Sequence, residues 1–224
     1  CAASKVQVLN PGAVIPPDTL LRNAASFRTK FGLEDNAVVL FVGRMIRRKG
    51  LAEFLEHAWP RIIASKPNAR LLVVGDSPDD ALRRDVRAAQ KLVSLVNNYR
   101  DDTLRFMGSV SDEALWEYYA LAHVLVFPLI QVKGDVEGFG MVAIEAAACG
   151  TPTVAFSQGG VTDAVADGRS GVLVAENDYQ AFADAVVDVC NSGRPTPAEC
   201  RTHARGFSWS VFQEKLLGML AGEL

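Results

Sequence analysis

Val38-Val39-Leu40-Phe41-Val42 is apolar at every position and runs directly into Gly43-Arg44-Met45-Ile46-Arg47-Arg48-Lys49-Gly50. A strand with one wet face alternates apolar and polar residues. An unbroken apolar run suits a strand covered on both faces, as in a parallel sheet. The same grammar repeats outward from it. Val6–Leu9, Arg70–Val74, Leu104–Met107, His123–Phe127, Thr153–Phe156 and Gly171–Val174 read as further strands. Between them, Asp18–Phe31, Gly50–Ser65, Asp79–Asn98, a stretch opened by Ser111 as capping residue, a stretch starting near Gly140, Val161–Ala166 and Asp178–Cys190 read as helices. Strands alternating with helices along the whole chain specify α/β architecture, a doubly wound, Rossmann-like parallel sheet.

Ser192-Gly193-Arg194-Pro195-Thr196-Pro197 is the best hinge signal. Residues 1–193 therefore read as one sheet domain. Residues 194–224 read as a helical segment that packs on it or on a further domain. The 224 residues suffice for one well-buried core. A net charge of -3 gives no electrostatic case for nucleic acid. No apolar run approaches the roughly 20 residues of a membrane span. The start at Cys1, without a charged-then-apolar leader, is expected to be a cut start rather than a secretory signal. Cys1, Cys149, Cys190 and Cys200 form no C-x-x-C pair and are expected to be reduced thiols of a cytoplasmic protein. Cys149, within AIEAAACG, is expected to be a packed small side chain.

In a doubly wound sheet the ligand sits at the carboxyl ends of the strands, so the loops there carry the chemistry. The loop Gly43–Gly50 places Arg44 and Lys49 beside a helix N-terminus, and Gly50 is expected to let the backbone approach a ligand. A diphosphate suits such a place: helix N–H groups, a forked donor and a point charge. The Walker spacing is absent. The other reading is a solvated basic loop. The second loop, Asp135-Val136-Glu137-Gly138-Phe139-Gly140, also leads into a helix, whose N-terminus carries partial positive charge. Glu137 can accept from sugar hydroxyls. Glu145 stands in apolar surroundings and needs a partner, either a ribose diol or a neighbouring basic side chain. Gly138–Ala143 also fits a loose G-x-G-x-x-A fingerprint, but it does not directly follow a strand as that fingerprint must.

Gly43-Arg44 with Lys49-Gly50, followed by EGFGMVAIEAAACGTPTVAF (137–156), resembles the C-terminal, donor-binding half of the two-domain GT-B fold in glycosyltransferase family 4. RFMGSVSDEALWEYYALAHVLVFP (105–128), GGVTDAVADGRSGVLV (159–174) and Phe207-Ser208-Trp209 match in the same order. The resemblance implies a hexosyltransferase-type, retaining enzyme of polysaccharide or glycolipid synthesis, whose donor is a UDP-, GDP- or ADP-sugar and which uses neither metal nor other cofactor. Arg44 and Lys49 would neutralise the diphosphate beside Gly43. Glu137, with backbone N–H groups of Gly138, Phe139 and Gly140, would hold the transferred sugar. Met141 and Val142 would offer N–H groups to phosphate, Glu145 would bind ribose, and the base would lie against Gly108–Val110. Arg44, Lys49 and Glu137 are the implied catalytic residues.

The resemblance further implies an N-terminal domain of the same polypeptide that holds the acceptor and any peripheral membrane contact. The fragment by itself is then expected to be inactive. Pro11-Gly12-Ala13-Val14 departs from the Gly-Val-Asp stretch common in similar enzymes, which puts a role for that loop in doubt. His57, His123 and His203 match no catalytic element and are expected to be structural or surface residues. Competing readings are a nucleotide-sugar epimerase of the same fold and a non-catalytic nucleotide-sugar-binding module.

Overall fold

The computed structural model describes residues 8–75, 86–99, 103–135 and 138–221. Its strands are β1 (Ala37–Val42), β2 (Ala69–Val74), β3 (Leu104–Gly108), β4 (Val124–Phe127), β5 (Thr153–Phe156) and β6 (Gly171–Val174). They form one sheet in the order β3-β2-β1-β4-β5-β6, and every neighbouring pair is parallel. The order reverses direction between β1 and β4. That is the topological switch point, where the loops after two adjacent strands diverge and leave a crevice.

The helices are α1 (Asp18–Arg22), α2 (Ala24–Phe31), α3 (Leu51–His57), α4 (Trp59–Ser65), α5 (Val86–Tyr99), α6 (Asp112–Leu121), α7 (Met141–Ala148), α8 (Val161–Ala164), α9 (Tyr179–Ser192), α10 (Pro197–Arg205) and α11 (Trp209–Ala221). They cover both faces of the sheet, which explains the continuous apolar strands. On β1, Val39 and Phe41 enter one core with Phe54, Leu55 and Trp59 of α3–α4 and Phe182 of α9. Val38, Leu40 and Val42 enter another with Tyr118 and Tyr119 of α6 and Ala146 of α7. Side chains alternate across a strand, so both sets must be apolar when both faces are roofed.

Several sequence expectations change in detail. The 18–31 helix is broken at Asn23, and Gly32 caps its end in the left-handed region with φ 62°. The 50–65 helix is broken at Ala58: Pro60 has no N–H to give Glu56, and its ring crowds that carbonyl. Val8 and Leu9 carry no strand, and Val6 lies outside the described residues. The chain instead touches the end of the fold through Ala13, whose N–H donates to the Phe207 carbonyl at 2.7 Å. The N-terminal part of the 79–98 helix also lies outside the described residues. Helix 161–166 ends early, at Ala164.

Helix α10 is capped by Thr196 and Glu199 in a reciprocal capping box. It packs on α7, with Cys200 and Ala204 in one core with Ile144, Ala147 and Ala148. Arg201, 6% exposed, binds the carbonyl of Ala148 at 2.7 Å and that of Pro16 at 3.2 Å, and pairs with Asp18. No described helix is long and apolar enough to cross a membrane.

Candidate functional site

The loops after β1 and β4 meet at the switch point. The Ile130 N–H donates to the Arg48 carbonyl at 3.0 Å. Arg48 Nε, on a buried side chain, holds Asp135 Oδ1 at 2.7 Å. Gly50 has φ 70°, and a Cβ there would lie 1.8 Å from the Pro128 carbonyl oxygen. From sequence, Gly50 is expected to open the backbone to a ligand; the close approach seen in the structure is to the neighbouring loop of the same chain.

The four cations of the first loop have different surroundings. Arg44 and Arg47 are exposed. Arg48 ties the two loops together. Lys49 is buried to 9% exposure, and its Nζ lies 5.0 Å from the centre of the Phe127 ring. The same ring closes on Gly140, whose Cβ, if it had one, would lie 2.9 Å from Phe127 Cε1. Phe127 is thus the common neighbour of the lysine and of the residue that starts α7. Gly140 adopts φ 95° and gives α7 no side-chain cap, so the N–H groups of Met141 and Val142 are not closed off by one. Gly138 is exposed, with open space where a Cβ would stand, while Phe139 is buried against Phe207 with ring centres 5.5 Å apart. Glu137 lies outside the described residues.

Along α7, Met141 in the first turn and Glu145 one turn on line a cleft of about 440 Å³, together with Gly12–Val14, Asp112, Leu115, Trp116, Tyr119 and Trp209. Tyr119 Oη donates to Glu145 Oε2 at 2.7 Å. Neither partner anticipated for Glu145, ribose or a basic side chain, is needed to explain its burial: a neutral hydroxyl meets it. Burial pushes the Glu145 carboxyl above its usual range; the Tyr119 hydrogen bond pulls it back and the Asp112 charge adds to the rise. The Tyr119 hydroxyl is pushed well up by burial and by the Glu145 charge. Val110 and Val142 both pack against the core that holds Tyr119. Gly108 has φ 70° and open space beside it.

Sequence reasoning missed Tyr119, Asp112, Trp116, Phe127 and the Arg48–Asp135 tie. One signal was available: a buried tyrosine needs an acceptor and a buried glutamate needs a donor. Of the Pro11–Val14 stretch that departed from the expected pattern, Gly12, Ala13 and Val14 do line the cleft, with Gly12 close against the Trp209 ring.

The remaining expectations concern groups away from these loops. His123 Nδ1 accepts the Val38 N–H at 3.0 Å. His203 Nε2 lies 2.9 Å from the Ala164 carbonyl oxygen, and the His57 ring packs on Tyr179 at 5.0 Å. Cys149 is buried near the Trp116 carbonyl, and burial raises its thiol far above a reactive range. Among the described residues no cluster of His, Cys, Asp and Glu could hold a metal ion.

Comparison with known proteins places this geometry. A family model described as "Glycosyl transferases group 1" matches residues 36–192. The D-inositol 3-phosphate glycosyltransferase of Mycobacteroides abscessus is 35% identical over 216 residues, 96% of this chain and 46% of that protein. The GDP-mannose-dependent alpha-(1-6)-phosphatidylinositol monomannoside mannosyltransferase of Mycolicibacterium smegmatis is 33% identical over 181 residues, 78% of this chain and 44% of its own length. The chain spans about half the length of the curated relatives it matches. Among solved structures, Anabaena HepE in complex with UDP superposes with a TM-score of 0.79 at 20% identity, covering 98% of this chain and 58% of that one. Sucrose-phosphate synthase from Thermosynechococcus elongatus gives 0.72 at 30% identity, covering 97% and 53%. The parallel sheet is the Rossmann-like unit of GT-B glycosyltransferases. The family match covers the switch-point loops, the Glu145 helix and all six strands, and the chain belongs to the group 1 glycosyl transferases.

Proposed function

We propose that the chain is the donor-binding half of a retaining hexosyltransferase, which binds a nucleoside-diphosphate sugar and passes the sugar to an acceptor held by another domain of the same polypeptide. One observation carries the reading: Phe127 brings Lys49 and the start of α7 together at the switch point, with Glu145 one turn further along the helix. Four residues at 1.5 Å each separate Met141 from Glu145 by about 6 Å along the axis, a spacing that suits a phosphate at one end and a ribose at the other. The names of similar proteins agree in kind: one is GDP-mannose-dependent, and a structural neighbour was crystallised with UDP-glucose.

In this reading the bond between the anomeric carbon and the diphosphate oxygen breaks, and negative charge grows on that oxygen. Arg44, Lys49 and the first N–H groups of α7 stabilise it, and they stand ready before the reaction starts. Glu137 and the Gly138–Gly140 backbone hold the sugar while the acceptor oxygen bonds to the same face of the carbon and its proton passes to the departing diphosphate. Gly43 keeps the first loop close, and Gly108–Val110 lies against the base. The charge work is done by side chains and helix, without a resident metal. Catalysis needs the acceptor domain, so the chain alone binds donor without turning it over.

Titration calorimetry with UDP, GDP and ADP tests this. One of the three is expected to bind in preference to the others. Glu145→Ala should weaken it by roughly 10- to 100-fold, the effect of losing hydrogen bonds to a charged group, and Arg44→Ala should weaken it less. A folded sample that binds none of the three at millimolar concentration refutes the proposal.

A further inference from the structure

We infer that Tyr119 is a positioning residue for donor recognition: its hydroxyl locks one oxygen of Glu145, so that the other is presented to the ribose diol, and it thereby sets the preference for ribose over deoxyribose. The inference rests on the reading of Glu145 as the ribose-binding group.

Tyr119 is wholly buried, yet it lines the same cleft as Glu145, to which its hydroxyl donates. Its ring and backbone are held from several sides. The Thr151 hydroxyl donates to the Tyr119 carbonyl at 2.5 Å. The Thr151 N–H donates in turn to Ala146, on the same helix as Glu145, at 2.9 Å. Trp116 packs on the ring with centres 6.2 Å apart. The donor is therefore fixed relative to α7 before any ligand arrives.

The chemical type of the partner matters as much as its place. An arginine or lysine at this position would neutralise the carboxylate and compete with a ligand for both oxygens. A phenol donates a single hydrogen bond to Oε2 and leaves the charge in place. A glutamate without an anchor would spread over several rotamers and would have to be ordered on binding, an entropic penalty that a preset side chain avoids. Oε1 is then the oxygen for the diol, in a setting dry enough to make a charged hydrogen bond strong.

The test uses the full polypeptide that carries this chain. The nucleoside diphosphate that binds best among UDP, GDP and ADP is compared with its 2'-deoxy and 3'-deoxy forms by calorimetry, in the wild type, Tyr119→Phe and Glu145→Ala. Tyr119→Phe removes one oxygen and leaves the packed ring, and its melting temperature verifies the fold. The expected result is a fall of about tenfold in affinity for the ribose form with little change for the deoxy forms, so that the preference collapses toward that of Glu145→Ala. If Tyr119→Phe weakens all forms equally and keeps the preference, Tyr119 merely supports the fold and the inference fails alone. If the wild type shows no preference and Glu145→Ala binds as it does, the ribose role of Glu145 fails and takes the inference with it.

Discussion

His123 and Glu145 are both drawn out of water, and the fold answers each differently. His123 accepts the Val38 N–H, and burial lowers its pKa from 6.5 to about 4, so it stays neutral in the folded chain down to acid pH. The unfolded chain takes up that proton earlier. Between about pH 6.5 and 4 the unfolded state therefore binds more protons than the folded one, and stability falls as pH falls through that window. His203, also lowered by burial, adds to the same slope. His123→Asn, which can still accept from Val38, is expected to flatten the fall in melting temperature from pH 7 to pH 4; an unchanged slope would remove His123 from the account. At this scale the sequence conveyed needs rather than solutions. A glutamate in MVAIEAAACG visibly lacks a partner, but nothing in the spacing points to a tyrosine on another helix. Three adjacent cations look alike in RRK, and only the packing of Pro128–Asp135 assigns Arg48 to the loop tie and Lys49 to the Phe127 face.

Strands were the most legible elements. A strand roofed on both sides must be apolar throughout, so Thr153–Phe156 and Gly171–Val174 stand in the structure with the bounds expected from sequence. Helix breaks were harder to see. Hydrophobic period continues across Ala58 and Asn23, while the break depends on whether one carbonyl finds its N–H. The function of Gly50 shows the same limit. Its flexibility is readable, but its neighbour, the Pro128 carbonyl, is distant in sequence. Gly50→Ala would set a Cβ 1.8 Å from that oxygen in a backbone conformation that L-residues avoid. A loss of about 3 kcal/mol or more is expected from urea unfolding, together with weaker donor binding as the two loops part. Unchanged stability would mean that the loops separate at no cost.

On the scale of the whole molecule, a buried cation ties the terminal helix α10 back to the sheet domain, beside the apolar packing of α10 on α7. Arg201 connects α10 to the end of α7 and to the segment that leads into α1. Arg201→Met would keep the volume but leave the Ala148 and Pro16 carbonyls without that donor, and a loss of about 2–4 kcal/mol is expected by chemical denaturation. Arg194→Ala, at an ion pair whose arginine is 65% exposed, is the control, with a change of about 0.5 kcal/mol or less. Similar losses from both would show that Arg201 is no tie. The sequence places a hinge at 192–197 ahead of the terminal helices, and nothing in its pattern shows how closely they approach residues 12–13. Gly12 lies close against Trp209, and Ala13 bonds to Phe207. The segment before α1 and the segment after α10 therefore hold each other within the described residues. A break at the exposed turn of Gly193 and Arg194 would leave all six strands on one side of the cut, with the terminal helices still held by Arg201, by the α7 contact and by this seam.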